Sequence, residues 1–217
     1  MKFLTFVVIL IGWVFSLCLH EFSHAFVAYQ GGDYTVKDKG YLTFNPLKYT
    51  HPVYSIILPL LFLVMGGIGL PGGAVYIERE RLRGPRWETA VALAGPASNA
   101  LLALILGLVL RLTPIAASSI GPGLAFLGLL QVSAVVLNLL PVPPFDGFGA
   151  LEPYLPMEWR MKLAGTRGML SWAVFLALWY IPFVGNVFWG LIFLLARTAG
   201  VPLLIAIQGL NQFMFWK

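Results

Sequence analysis

The sequence predicts an all-α polytopic membrane protein, and three observations carry that prediction. Apolar residues fill 59% of the 217 positions and charged residues 11%, about half the charge of a soluble domain. Several apolar runs reach the ~20 residues that a helix needs to cross the hydrocarbon of a bilayer. The basic residues behind the net charge of +5 fall in short loops beside those runs. There they set topology and meet anionic headgroups, so nucleic-acid binding is excluded. Residues 1–217 are read as a single membrane-embedded domain with about five to six membrane segments, one of them re-entrant, and a short β-strand near the active site. The single cysteine, Cys18, forms no internal disulfide and is read as packing.

Each element follows from local signals. Lys2 to Tyr29 reads as one helix stopped by Gln30-Gly31-Gly32-Asp33. Residues 3–19 have the apolar character of a secretory signal, but no small-x-small cleavage site follows, so the segment is expected to be retained. A polar stretch, Asp33 to Pro52, leads to Val53–Leu70, which is apolar but interrupted by Pro59 and three glycines. Ala74-Val75-Tyr76-Ile77 is β-prone and precedes the charged run Glu78 to Arg83. Trp87 to Arg111 reads as a regular span, Thr113 to Gly123 as a loop and Leu124 to Leu140 as the next span. Pro141, Pro143 and Pro144 then forbid a regular helix, and irregular backbone near membrane depth is tolerated only where it is buried or lines a polar site. Glu152 to Lys162 reads as a polar surface segment with Trp159 as an interface anchor. Gly168 to Ile181 begins another membrane helix, and Phe183 to Phe215 is apolar but broken by Gly200 and Pro202.

The chemistry sits in the first helix, at His20-Glu21-Phe22-Ser23-His24. Histidines four apart project from one helix face, where either ring nitrogen of each can reach one ion, and Glu21 is close enough to reach a water there. Two imidazoles and a carboxylate in an apolar span are costly unless paired or metal-bound, which sets packing histidines aside. Hydrolytic zinc takes three protein ligands and a water. The candidates for the third ligand are His51, Glu78, Glu88, Glu152 and Asp146. Glu78 belongs to a solvated charge run and Glu88 to the first turn of a helix, whereas Asp146, on the proline-distorted segment, has no ordinary explanation as good. The expected centre is therefore one Zn2+ per chain on His20, His24 and Asp146. Glu21 would act as general base, and Asn138 as donor to the oxyanion formed on peptide hydrolysis. For Asn99 a helix–helix hydrogen bond is the better reading.

These residues resemble the site-2 protease family of intramembrane zinc metalloproteases. His20-Glu21-x-x-His24 resembles its first motif and Asn138-x-x-Pro141-x-Pro143-Pro144-x-Asp146-Gly147 its second, with Gly95-Pro96-x-x-Asn99 between them. Asn45-Pro46-Leu47 and Leu58-Pro59-Leu60 resemble small prokaryotic members, although Tyr49 and His51 stand where such members often carry His and Asp. The resemblance implies His20, His24 and Asp146 as zinc ligands, Glu21 as the catalytic carboxylate, and Asn138 as a residue that positions substrate or stabilises the transition state. It also implies a transmembrane protein as substrate. A metal transporter has no need of Glu21, and a dead scaffold no need of the intact set.

Topology follows from where these residues must meet. His20 to His24 and Asp146 both lie towards the C-terminal ends of their spans, so the two helices run the same way with one net crossing between them. Trp87–Arg111 takes that crossing, leaving Val53–Leu70 re-entrant. With the N-terminus outside, Lys37, Lys39, Lys48, Arg79, Arg81, Arg83, Arg86, Arg160, Lys162 and Arg167 are cytoplasmic, and only Lys2 and Arg111 oppose them. The expected setting is a prokaryotic cell membrane, with the active site towards the cytoplasm.

Overall fold

Helix α1, Lys2–Gly31, is the apolar run that carries the histidine pair, and the computed structural model, which describes residues 2–49 and 75–214, builds the site around it. After the short α2 (Thr35–Asp38) come α3 (Pro85–Leu112) and α4 (Gly121–Asn138). The segment after α4 contains a cis Pro143–Pro144 peptide and leads to the one-and-a-half-turn α5 (Asp146–Leu151). The chain continues through α6 (Met157–Ala164), α7 (Arg167–Tyr180), α8 (Pro182–Thr198) and α9 (Leu203–Phe213).

Among the described residues, α1, α3 and α4 are each long and apolar enough to cross a membrane. Helices α7 and α8 meet at a 91° bend around Ile181 and together make up a fourth apolar stretch of that kind. Their burial differs in an informative way. The apolar window of α4 is 89% buried, against 39% for α1 and for α3, so α4 is the hidden axis and the others wrap it. Its Phe126, Leu130 and Leu137 pack with Ile9 and Trp13 of α1, Phe188 and Ile192 of α8 and Phe213 of α9. Helix packing in a bilayer relies on close van der Waals approach. The backbone of α9 at Gly209 accordingly lies against Pro122 of α4, where a Cβ would meet the proline carbonyl.

Contacts along the helices fix their relative direction. Thr5 and Val8 of α1 lie by Gly123 and Gly12 by Leu127, so α1 and α4 run the same way. Asn99 of α3 meets Gln131 while Leu106 meets Gly128, so α3 runs against both. The end of α1 also meets the start of α3: Gly31 lies by Leu82 and Trp87, and its carbonyl accepts from the Arg83 amide at 3.0 Å.

Several sequence expectations shift. Pro85 and Gly121 start α3 and α4 earlier than expected, because proline at the first or second helical position has no amide to leave unsatisfied. The apolar tail from Phe183 divides at Gly200, φ +89°, into α8 and α9. Glu152, expected on a polar surface, is 4% exposed and bonded to Arg79. Among the described residues there is no β-strand: Val75 to Ile77, expected with Ala74 to be strand, belong to no regular element, the Val75 amide donating to the Glu21 side chain and the Tyr76 carbonyl accepting from that of Lys39. The expected re-entrant Val53–Leu70, His51 and Ala74 lie outside the described residues.

Candidate metal centre

Three helices converge on His20 and His24. Both rings leave the same face of α1, one turn apart, with centroids 4.6 Å apart and planes at 77°. Facing them, α3 presents Val91, Gly95 and Asn99, spaced four apart and so on one face. The Val91 carbonyl lies 2.6 Å from His24 Nδ1, and Asn99 Oδ1 lies 2.5 Å from His20 Nδ1. A carbonyl oxygen can only accept, so His24 Nδ1 carries a proton, and in the neutral ring that leaves the lone pair on Nε2. Between these two contacts is Gly95, where a Cβ would overlap His24 Nε2 and lie 2.6 Å from His20 Nε2. Only glycine leaves that volume free.

The third group arrives from α5. The proline-rich turn after α4 brings Asp146 back towards α1, and Gly147 makes the turn sterically feasible, since a Cβ there would lie 2.7 Å from the Leu140 carbonyl oxygen. The two Nε2 atoms are 3.0 Å apart, and Asp146 Oδ2 is 3.3 Å from that of His20 and 3.5 Å from that of His24. Ligand atoms on a tetrahedral zinc with bonds of about 2.0–2.2 Å are separated by about 3.3–3.6 Å, so the two edges to Asp146 match one face of that tetrahedron and the edge between the histidines is slightly shorter. Asp146 Oδ2 is buried and has no hydrogen-bond partner among the described residues. A carboxylate oxygen and two imidazole lone pairs pointed at one another repel unless a cation lies between them, so the donor set fits a divalent metal with nitrogen and oxygen preferences. It is also the one group of three such side chains, among the described residues, able to hold an ion.

Glu21 lies beside this triangle, 4% exposed, and its Oε2 accepts from the Val75 amide at 3.1 Å. Asn138, at the last turn of α4, is 3% exposed and lines the same cavity. That cavity, about 560 Å³, runs from the histidines past Val75–Ile77 and Arg79 to Ser171 and Phe175 of α7. The five residues expected from sequence are thus brought together, while His51 lies outside the described residues. Glu88 and Glu152 also line the cavity, where Arg79 bonds Glu152 at 2.5 Å. Glu78 lies away from the metal triangle, tied to Lys39 at 2.9 Å and to Arg81. These hydrogen bonds push its carboxyl down to about 2 from an ordinary 4.5.

Sequence reasoning missed Gln131, 0% exposed, whose Oε1 accepts from Asn99 Nδ2 at 2.7 Å. A lone glutamine deep in an apolar span was the available signal. Asn99 forms the helix–helix hydrogen bond expected of it and also holds His20.

No protein-family model and no solved structure matches the chain. Curated relatives do. The chain is 44% identical over 213 residues to a protein of Mycolicibacterium smegmatis named as a zinc metalloprotease, Rip2, covering 98% of this chain and 82% of the relative. The protein of the same name from Mycobacterium tuberculosis is also 44% identical, with the same coverage. YwhC of Bacillus subtilis, likewise named as a zinc metalloprotease, is 33% identical over 188 residues, 81% of each chain. At that identity and coverage the chain is a zinc metalloprotease with Zn2+ as its cofactor, and it belongs to the site-2 protease family.

Proposed function

We propose that the protein hydrolyses a peptide bond in or near the transmembrane segment of a membrane-protein substrate. His20 Nε2, His24 Nε2 and Asp146 Oδ2 hold one zinc per chain. The observation that carries the reading is the buried triangle of donor atoms at 3.0–3.5 Å with Glu21 next to it, the two histidines and Glu21 lying on a helix apolar enough to span a membrane.

When bound, zinc supplies Lewis acidity, which brings a water within reach of deprotonation near neutral pH and offsets negative charge on the scissile carbonyl. The protein's own residues do the rest. Glu21 takes the proton from the attacking water and passes it to the departing amine. Its position is set by the Val75 amide, which fixes one carboxylate oxygen. Asn138, buried on the cavity wall, donates to the oxyanion. The irregular Val75–Ile77 segment along the cavity offers backbone groups to a substrate whose helix must unwind before its carbonyl can be attacked. Pairing with substrate would make it the short strand expected from sequence.

The same reading takes the chain as one multi-pass unit with about five to six membrane segments. It lies in a prokaryotic cell membrane with the active site towards the cytoplasm, where the basic loops gather. Glu21→Gln is the test. Proteolysis of a single-span substrate in reconstituted vesicles is expected to stop while zinc stays bound, and the trapped variant should retain uncleaved substrate. Full activity in Glu21→Gln would overturn the reading.

A further inference from the structure

Gln131 is a buried polar residue that the reaction leaves unused. It sits at 0% exposure in the most buried of the three long apolar helices among the described residues, in a stretch where leucine would pack at no polar cost. Only its oxygen has a partner. Oε1 accepts from Asn99 Nδ2 at 2.7 Å, while Nε2 is buried with no hydrogen-bond partner among the described residues. A residue that pays burial for both ends of an amide and uses one is there for the end it uses.

That end acts on the metal centre through a chain of two hydrogen bonds. A histidine that gives Nε2 to a metal must carry its proton on Nδ1, and Nδ1–H needs an acceptor. For His24 the acceptor is the Val91 carbonyl, which cannot reverse its role. For His20 it is an asparagine amide, which can. Turned over, Asn99 would present its NH2 to His20 Nδ1, move the proton to Nε2 and remove the lone pair from the metal triangle. An acceptor on the far side of Asn99 opposes that flip, because turning the Asn99 amide alone would set two oxygens face to face in an apolar core, and turning both amides would leave the Gln131 oxygen buried where no donor lies among the described residues. Gln131 Oε1 is that acceptor.

We propose that Gln131 is a positioning residue that holds the Asn99 amide in one orientation and thereby keeps His20 Nε2 available to the metal. The proposal rests on His20 being a zinc ligand, as argued above. It ties α4, which bears no ligand itself, to His20 in addition to the cavity wall that Asn138 lines, and it joins α1, α3 and α4 through His20, Asn99 and Gln131.

The test is zinc affinity of the full-length protein in detergent, read by competition with a chromophoric chelator, in five variants. Gln131→Leu should bind zinc roughly 10–100-fold more weakly, the usual effect of losing an outer partner of a metal-ligating histidine. Gln131→Glu, which only accepts, should restore most of that affinity. Asn99→Asp presents an acceptor to His20 whichever way it turns, so adding Gln131→Leu to it should cost little further. A helix–helix contact with no role in the proton's position predicts otherwise: Gln131→Leu would leave zinc affinity unchanged, or lower it equally with Asn99 or with Asp at that position. Either result overturns the proposal. Should Gln131→Leu not fold, weakened binding in Gln131→Glu would also overturn it. His20→Ala separates the two levels. Loss of zinc in His20→Ala with none in Gln131→Leu rejects only the role of Gln131, whereas retention of zinc in His20→Ala rejects the ligand assignment and this proposal with it.

Discussion

Gly95 decides whether the histidines have room for an ion. Alanine is a better helix former than glycine by roughly 0.5–1 kcal/mol, so Gly95→Ala would stabilise an ordinary helix. Here the new methyl would overlap His24 Nε2 and lie 2.6 Å from both His20 Nε2 and Cε1. The expected outcome is loss of zinc binding and of proteolysis with the helical content kept, checked by metal analysis beside circular dichroism. Normal zinc content in Gly95→Ala would mean that the metal is not between these rings. At this scale the sequence was most informative where chemistry is compressed into neighbours: His20, Glu21 and His24 are one turn of helix, and Asp146 stands out because a carboxylate beside a proline-broken span needs a reason. The role of Gln131 was not legible beyond its being a polar residue in an apolar span, because that role depends on Asn99, 32 positions away, and on which way an amide points. Neither has a local signature.

Among the elements, the segment from Val75 to Arg83 shows how an irregular stretch can be held firmly. Its amide at Val75 binds Glu21, its amide at Glu78 binds Asp33 at 2.8 Å, Arg79 binds Glu152, and the Arg83 side chain reaches the carbonyls of Gln30 and Gly31. These contacts tie it both to the end of α1 and to the segment that follows Asp146. Val75→Pro removes the amide that fixes Glu21. Turnover is expected to fall at least tenfold with zinc retained, since an interaction worth about 1.4 kcal/mol at a catalytic base is a factor of ten in rate. Ile77→Pro should also lower turnover if this stretch pairs with substrate. Unchanged kinetics for both would remove the segment from the mechanism. The sequence suggested a strand because Val75, Tyr76 and Ile77 favour extended backbone, but propensity supplies no ladder partner. Among the described residues the available partners are side chains.

For the molecule as a whole, the parity argument agrees with helix direction: α1 and α4 are parallel, and α3 opposes them. Such long-range order was legible because the two halves of the site had to meet. Helix ends were less so: α3 and α4 begin at Pro85 and Gly121 without a side-chain cap, each with proline at the first or second position. The arrangement also brings distant basic residues to one end, with Lys39 bonded to Glu78 and Arg83 packed on Gly31. Cysteines placed at Lys39 and Arg83 in a Cys18→Ala background should therefore react with a membrane-impermeant thiol reagent from the same side. Labelling from opposite faces would contradict this packing.

The central claim is that one zinc is held by His20, His24 and Asp146, and its most direct test is the zinc content of purified protein. One zinc per chain is expected in the unaltered protein and in Glu21→Gln, with substoichiometric zinc in His20→Ala and Asp146→Ala. Stoichiometric zinc in both of those alanine variants would contradict the account.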